Sequence, residues 1–423
     1  MLKKSLVNLP VDINTRIAIV GGGPAGCTAS MVLSKNNIEH VLIEKDVHPR
    51  DKVCGDALSG KVFSVLKKIN PDYVDEITNN PEEFLPSWGV TFYAPNGKGI
   101  DIPFYVHNEN KRAPGFISKR IFFDEFIFKK ALTDKVNILN NCLVTNANYE
   151  NNKVNLIIKN SSRQFNIKAD IVIAADGERS VITKYLHKKK KNLNHFSAGI
   201  RAYYGGVRDL HPENFIELHY LKEALPGYFW IFPLPNGGAN VGLGMLSSHV
   251  STKKINIKNL LIELINNDLR FKHRFKTAKP EGEIKGWGLP LAMKKNSISG
   301  NNYMLTGDAA SLIDPFTGEG VSNAMISGYK AAEQAILCLK ENNFSAGFMK
   351  QYDNSVYQRL GKELSLSKTL QQLVKYPWLF NFVVNKARKN KTLQDTLRCM
   401  FDDIDLRKKL KNPFFYSKLI FNH

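Results

Sequence analysis

Hydrophobic positions along the chain follow two rhythms. Short unbroken runs at 16–20, 171–175 and 303–306 predict buried strands. Elsewhere apolar and polar residues alternate. "SWGVTFYAPNGKGIDIPF" does so about Asn96-Gly97, and "YFWIFPLPNGGANVGLGM" about Asn236-Gly237. Asn-Gly between apolar runs marks a hairpin. "FSAGIRAYYGGV" and "NFIELHYL" supply further strands. Helices are expected over 25–35, 59–69 and after Gly320. Strands and helices alternate in some stretches, while strands cluster at 86–110 and 191–285. That order predicts an α/β fold interrupted by two insertions, which join as an antiparallel sheet.

The first run opens a motif. In "RIAIVGGGPAGCTASMVLSKNNIEHVLIEKD" a strand leads to Gly21-x-Gly23-x-x-Gly26, then a helix, then a second strand ending on Glu44. This is the order of a βαβ unit that binds an ADP moiety. Gly21 permits the turn, Gly23 lets backbone N–H groups approach a pyrophosphate, and Gly26 lets helix and strand pack closely. Glu44 is placed for ribose hydroxyls. Cys27, just after the last glycine, reads as a small buried residue.

Length and composition narrow the class. A chain of 423 residues with 43% hydrophobic content has room for two or three domains. No apolar run approaches the ~20 residues of a membrane span, and no signal peptide is expected. The five cysteines, at 27, 54, 142, 338 and 399, form no CxxC and read as reduced thiols in a cytoplasmic protein. No metal site is expected. Lys+Arg at 59 against Asp+Glu at 39 gives a net charge of +20. Such a charge attracts anionic surfaces or simply coats the exterior. No nucleic-acid signature accompanies it.

Two further segments complete a pattern. "ADIVIAADGERS" ends a strand on Asp176-Gly177. "NNYMLTGDAASLIDPFTGEGVSNAMISGYKAA" ends one on Gly307-Asp308, and a loop with Pro315, Gly318 and Gly320 leads into a long helix. Together GxGxxG, DG and GD, in order across roughly residues 15 to 335, resemble the flavin-dependent oxidoreductases of the p-hydroxybenzoate hydroxylase fold. The resemblance implies a Rossmann-like FAD-binding domain (1–85, 111–190 and 286–360), an inserted β-sheet substrate domain (86–110 and 191–285) and a helical basic C-terminal region (361–423). It implies that Asp308 binds the ribityl chain and that Pro315, Gly318 and Gly320 lie by the pyrimidine end of the flavin. Arg120 would sit near the phosphate and ribityl region, and Asp176 near the cofactor.

Within that fold, Tyr228-x-Trp230-x-Phe232-Pro233 followed by Gly242-x-Gly244 resembles the signature of geranylgeranyl reductases, as does Cys54-Gly55 in "PRDKVCGDALSG". Alternation puts Tyr228, Trp230 and Phe232 on one strand face. That face suits a polyprenyl chain and equally an ordinary core. The resemblance implies reduction of isoprenoid C=C bonds, with Cys54 and Tyr228 as the polar groups nearest the chemistry. No second strand–GxGxxG–helix unit is present, so NAD(P)H docks transiently or another reductant serves. A flavin monooxygenase remains an alternative. So does a flavin halogenase, although Tyr228 and Phe232 depart from the Trp-x-Trp-x-Ile-Pro of halogenases. A non-catalytic FAD-binding module is the third reading. At the C-terminus, 375–391 and 406–423 combine aromatic and basic residues. They suit an anionic membrane at its inner face, or a helical cap packed on the body.

Overall fold

The structure, a computed structural model, describes residues 12–104 and 112–398. One sheet carries the motif glycines. Its strands run in the order Ser299–Gly300, Tyr303–Leu305, Gln164–Ala174, Asp12–Val20, His40–Ile43 and Val136–Leu139. From Tyr303–Leu305 to Val136–Leu139 all neighbours are parallel. Parallel strands are buried on both faces, which is why these segments read as unbroken apolar runs. Ile17, Ile19, Ile171 and Ile173 are fully buried. Leu143–Glu150 and Lys153–Lys159 add an antiparallel flap beside the first half of Gln164–Ala174. Helix Pro24–Lys35 packs between Val321–Glu341 and Arg120–Ala131.

The second sheet has seven strands, in the order Lys279–Pro290, Phe196–Gly205, Gly238–Leu246, Tyr228–Leu234, Ile216–His219, Gly89–Tyr93 and Gly99–Pro103. Its last inserted strand runs past residue 285 to Pro290. Asn236 and Gly237 both take positive φ (63° and 72°), the conformation that turns a hairpin tightly. The sheet is not wholly antiparallel as the alternation suggested. Ile216–His219 and Gly89–Tyr93 are parallel, because the two insertions meet there and no hairpin joins them. A small sheet of Ala57–Leu58, Gly115–Ile117 and Leu85–Ser87 lies in the segments leading to and from the first insertion.

Helix Ala346–Leu373 spans both bodies. Met349, Tyr352 and Val356 enter the first core, and Leu370 reaches the second. Its Glu363 meets Lys61 of helix Gly60–Ile69 at 2.7 Å, both nearly inaccessible. Glu363 also holds Arg359 at 2.9 Å, so it keeps one cation when Lys61 is removed. Lys61→Ala should therefore lose about 1–3 kcal/mol in denaturant titration, the cost of a buried group short of one partner. Helix Pro377–Ala387 then packs Phe380, Val384 and Ala387 inward, so one face of the 375–391 segment does form a cap. The 406–423 segment and Cys399 lie outside the described residues. Among the described residues, no helix is long and apolar enough to cross a membrane.

Candidate functional site

One continuous cleft of about 600 Å³ runs from Gly21 to Val374 between the two sheets. At one end stands the glycine turn. Gly21 has φ +103°, and its N–H donates to the Ile43 carbonyl at 2.8 Å. A Cβ there would overlap the Ala175 carbonyl oxygen, and one on Gly26 would overlap that of Gly21. Gly23 faces open space, with Arg50 Nη2 its one near neighbour. No side chain caps the helix it begins, so free N–H groups face the cleft. Glu44 is buried. Its Oε2 accepts from Gly22 N–H at 2.6 Å and its Oε1 from Asp46 N–H at 2.9 Å. Cys27 is fully buried, as read from the sequence, and its thiol donates to the Gly22 carbonyl.

Asp176 and Asp308 line the same end. Asp176 Oδ2 accepts from Val181 N–H at 2.7 Å, while Oδ1 is buried without a partner. Burial pushes its carboxyl up to about 6. The Asp308 carboxylate accepts no hydrogen bond from any described residue. Burial raises it, against the pull of Lys52. Three donors of the cleft lining are also unsatisfied, Arg201 Nε, Trp287 Nε1 and, near Val374, Gln371 Nε2. Unmet acceptors and donors beside an uncapped helix start suit a ligand rich in hydroxyl, phosphate and carbonyl groups. FAD is such a ligand, and these residues fit it.

The loop before helix Val321–Glu341 is pinned from three elements. Asp314 Oδ1 accepts from Phe316 and Thr317 N–H at 2.9 and 2.8 Å, and Ser367 Oγ donates to its Oδ2 at 2.5 Å. Ser59 donates to Glu319, and the Tyr228 hydroxyl to the Thr317 carbonyl. Gly318, at φ +73°, has the Tyr228 hydroxyl beside it, 2.6 Å from where a Cβ would stand. Pro315, Gly318 and Gly320 thereby all line the cleft.

In mid-cleft the structure brings Cys54 and Arg120 together. Arg120 is bidentate to Asp124 at 2.6 and 2.8 Å, and both it and Cys54 line the cleft. The resemblance implied a cofactor contact for Arg120. It lines the cleft with its guanidinium held by Asp124. Asp56, fully buried, accepts from Asn240 Nδ2 and Tyr203 Oη, both at 2.8 Å, and from Arg120 N–H at 3.2 Å. Asn240 also donates to the Cys54 carbonyl at 2.8 Å and accepts from Trp230 Nε1 at 2.9 Å. One amide thus ties the Cys54 loop to the aromatic strand.

Burial raises the Asp56 carboxyl to about 6, despite the donors that lower it. A raised carboxyl favours the folded state while protonated. That contribution is present below its ordinary value of 3.8 and lost as pH rises through about 6. Asp56→Asn should therefore gain stability relative to the parent between pH 4 and 6, as read from denaturation midpoints.

At the far end Tyr228, Trp230 and Phe232 all face the cleft, while Phe229 and Ile231 enter a separate core with Val241, Leu243 and Phe271. Gly242 explains itself here, whereas Gly244 would take a Cβ in ordinary contact. Gly242 lies opposite Trp230 on the neighbouring strand. A Cβ on it would overlap the indole and the Ile200 carbonyl, and one on Gly244 would stand 3.7 Å from Trp230 Cζ3. The bare backbone lets the indole lie along the strand. Phe104, Phe116, Leu218, Tyr220, Phe316 and Val374 complete an apolar chamber.

Sequence reasoning missed Asn240, Tyr203, Arg201, Lys52 and Trp287. Lys52 Nζ sits 3.8 Å over the Trp287 ring, and burial brings its amine down to about 8, which Asp308 partly offsets. Lys52 and Asp56 flank Cys54 in one segment, and that proximity was the available signal.

The chain is similar to known proteins. Residues 14–71 match the FAD binding domain family. The chain is 30% identical to the digeranylgeranylglycerophospholipid reductase of Methanococcus vannielii, over 84% of this chain and 87% of that one. The menaquinone reductase of Mycolicibacterium smegmatis is 26% identical, over 85% and 87%. The solved structure of a geranylgeranyl bacteriochlorophyll reductase-like protein from Thermoplasma acidophilum superposes with a TM-score of 0.77 at 23% identity, over 89% and 92% of the two chains. The flavin-dependent brominase Bmp2 reaches 0.73 at 20%, over 92% and 94%. At that identity it shares the fold alone.

Proposed function

Because the chain belongs to the geranylgeranyl reductase family of FAD-dependent oxidoreductases and reduces prenyl C=C bonds, we propose that its substrate is a polyprenyl chain carried on a lipid, reduced at the inner face of a membrane with electrons from NAD(P)H or another external reductant. The observation that carries this is the continuity of the cleft. The flavin cradle and the apolar chamber are one space, walled by Trp230, Phe232 and Phe316.

FAD held here and reduced by the external donor would supply a hydride for one alkene carbon. An isolated alkene is a poor acceptor, so the chain must hold it closely and exclude water. Trp230 and Phe232, with ring centroids 6.2 Å apart, form the wall for that purpose. A proton must reach the other carbon. Cys54 is the group we assign to deliver it, because it lines the cleft next to Gly55, against which Phe232 of the aromatic wall packs. Tyr228 serves differently. Its hydroxyl is engaged by Thr317 and its phenol is raised by burial, so it positions the Pro315–Gly320 loop rather than relaying a proton.

The test is anaerobic. Protein carrying reduced FAD should saturate geranylgeranyl lipid, seen by mass spectrometry. Cys54→Ser should keep the flavin spectrum and lose turnover by about a hundredfold or more. FAD-loaded protein that saturates no polyprenyl substrate refutes the reading.

A further inference from the structure

Helix Pro377–Ala387 has an inner and an outer face. Inside, Phe380 stands 4.7 Å from Tyr220 in the chamber wall. Outside, Trp378 is 70% exposed and Phe382 58%, one helical turn apart, with Tyr376 at 58% beside them. Two large aromatics held in water on one helix face, with a third at its N-cap, are not ordinary surface. Lys375, Lys386, Arg388 and Lys389 belong to the same segment, and Lys386 Nζ lies 6.0 Å from the Phe382 ring centroid.

Beside this cluster opens a notch lined by His195, Ser248, Lys294, Lys368 and Lys375. Lys375 belongs to both features. None of Lys294, Lys368 and Lys375 has an acidic partner among the described residues. His195 is held below its ordinary value by burial, then by Lys294, Lys189 and Lys368. A wall of like charge calls for an anion. The chamber lies just beneath, since Gln371 and Val374 line it and Lys375 follows.

We propose that this face docks on an anionic phospholipid bilayer, with Tyr376, Trp378 and Phe382 at the headgroup level and Lys294, Lys368 and Lys375 on lipid phosphates. Exposed Trp and Tyr beside lysines have the chemistry of the water–lipid boundary. Docked so, the protein brings the Val374 end of its chamber next to the lipid. That delivery step rests on the reductase reading, but the docking does not.

Vesicle co-sedimentation of the full FAD-loaded chain tests it. Wild type should bind vesicles of phosphatidylcholine with one-third phosphatidylglycerol, and bind pure phosphatidylcholine weakly. Lys294→Glu/Lys368→Glu/Lys375→Glu should lower affinity for the anionic vesicles by at least about tenfold. Trp378→Ser/Phe382→Ser should do the same, and wild-type Trp emission should shift blue on binding where Trp378→Phe shifts less. Both variants should keep wild-type turnover on detergent-dispersed substrate and lose it on vesicle-embedded lipid. Unchanged binding by either variant overturns the proposal, as does equal binding to neutral vesicles. Displacement by millimolar inorganic phosphate at constant ionic strength makes the notch a small-anion site and overturns it too. Self-association through Trp378 without vesicle binding assigns the face to a second copy instead. A protein that binds vesicles but reduces nothing would sink the reductase reading and leave the docking intact.

Discussion

Gly26→Val is expected to abolish stable FAD binding. Any Cβ at Gly26 meets the Gly21 carbonyl oxygen, which is backbone and has no rotamer to yield. Helix Pro24–Lys35 must then move off its strand. Gly328 hems it in from the other side, because a Cβ there would overlap the Ala25 carbonyl. The uncapped N–H groups after Gly23 leave their position, and the charge of the pyrophosphate loses its partner. A loss of about 3 kcal/mol or more corresponds to at least about a hundredfold in Kd, read by flavin absorbance after gel filtration and by FAD titration. Gly347→Ala is the control. Nothing lies within 4 Å of its Cβ position, so FAD binding should be unchanged. Retained yellow protein from Gly26→Val would refute the cradle as described.

Asn240→Leu should leave FAD bound and remove most turnover. The substitution leaves Trp230 Nε1–H and the Asp56 carboxylate each short of a buried partner and frees the Cys54 carbonyl. Every buried polar group left unmet costs about 1–3 kcal/mol, and relaxation of the Cys54 loop and the indole relieves that cost. Both are parts of the reacting chamber, so kcat should fall by about a hundredfold, the magnitude of lost positioning. Asn240→Asp discriminates positioning from bulk packing. It still accepts from Trp230 but sets a second carboxylate against Asp56. Two adjacent carboxylates share one proton, so activity should survive best at acid pH. A flat pH profile in Asn240→Asp would count against the bracket.

The two hairpin turns and the strand–helix–strand glycine motif were legible because each is a local device, complete within about thirty residues. The aromatic face of Tyr228, Trp230 and Phe232 was legible as a face, but its destination was not. Periodicity says which residues point together and not what they meet. Asn240 and Cys54 lie 186 residues apart, and nothing local to either announces the other. The parallel pairing of Ile216–His219 with Gly89–Tyr93 was hidden for the same reason. The hydroxyl of Tyr228 likewise meets a carbonyl on a loop 89 residues away, which nothing in its own strand announces.

The strand order of the first sheet has a bearing on biosynthesis. Asp12–Val20 pairs with Gln164–Ala174, which in turn pairs with Tyr303–Leu305. Gln164–Ala174 therefore takes its neighbours from distant parts of the chain, Asp12–Val20 made long before it and Tyr303–Leu305 long after, with one insertion in each gap. Such distant pairings close slowly and late. Until they close, the Val20 and Ile171 runs are exposed apolar segments. A nascent chain of this protein should gain most from chaperones before residue 305 clears the ribosome. Its FAD site should be among the last parts to form, so ribosome-bound chains stalled before that point should remain colourless.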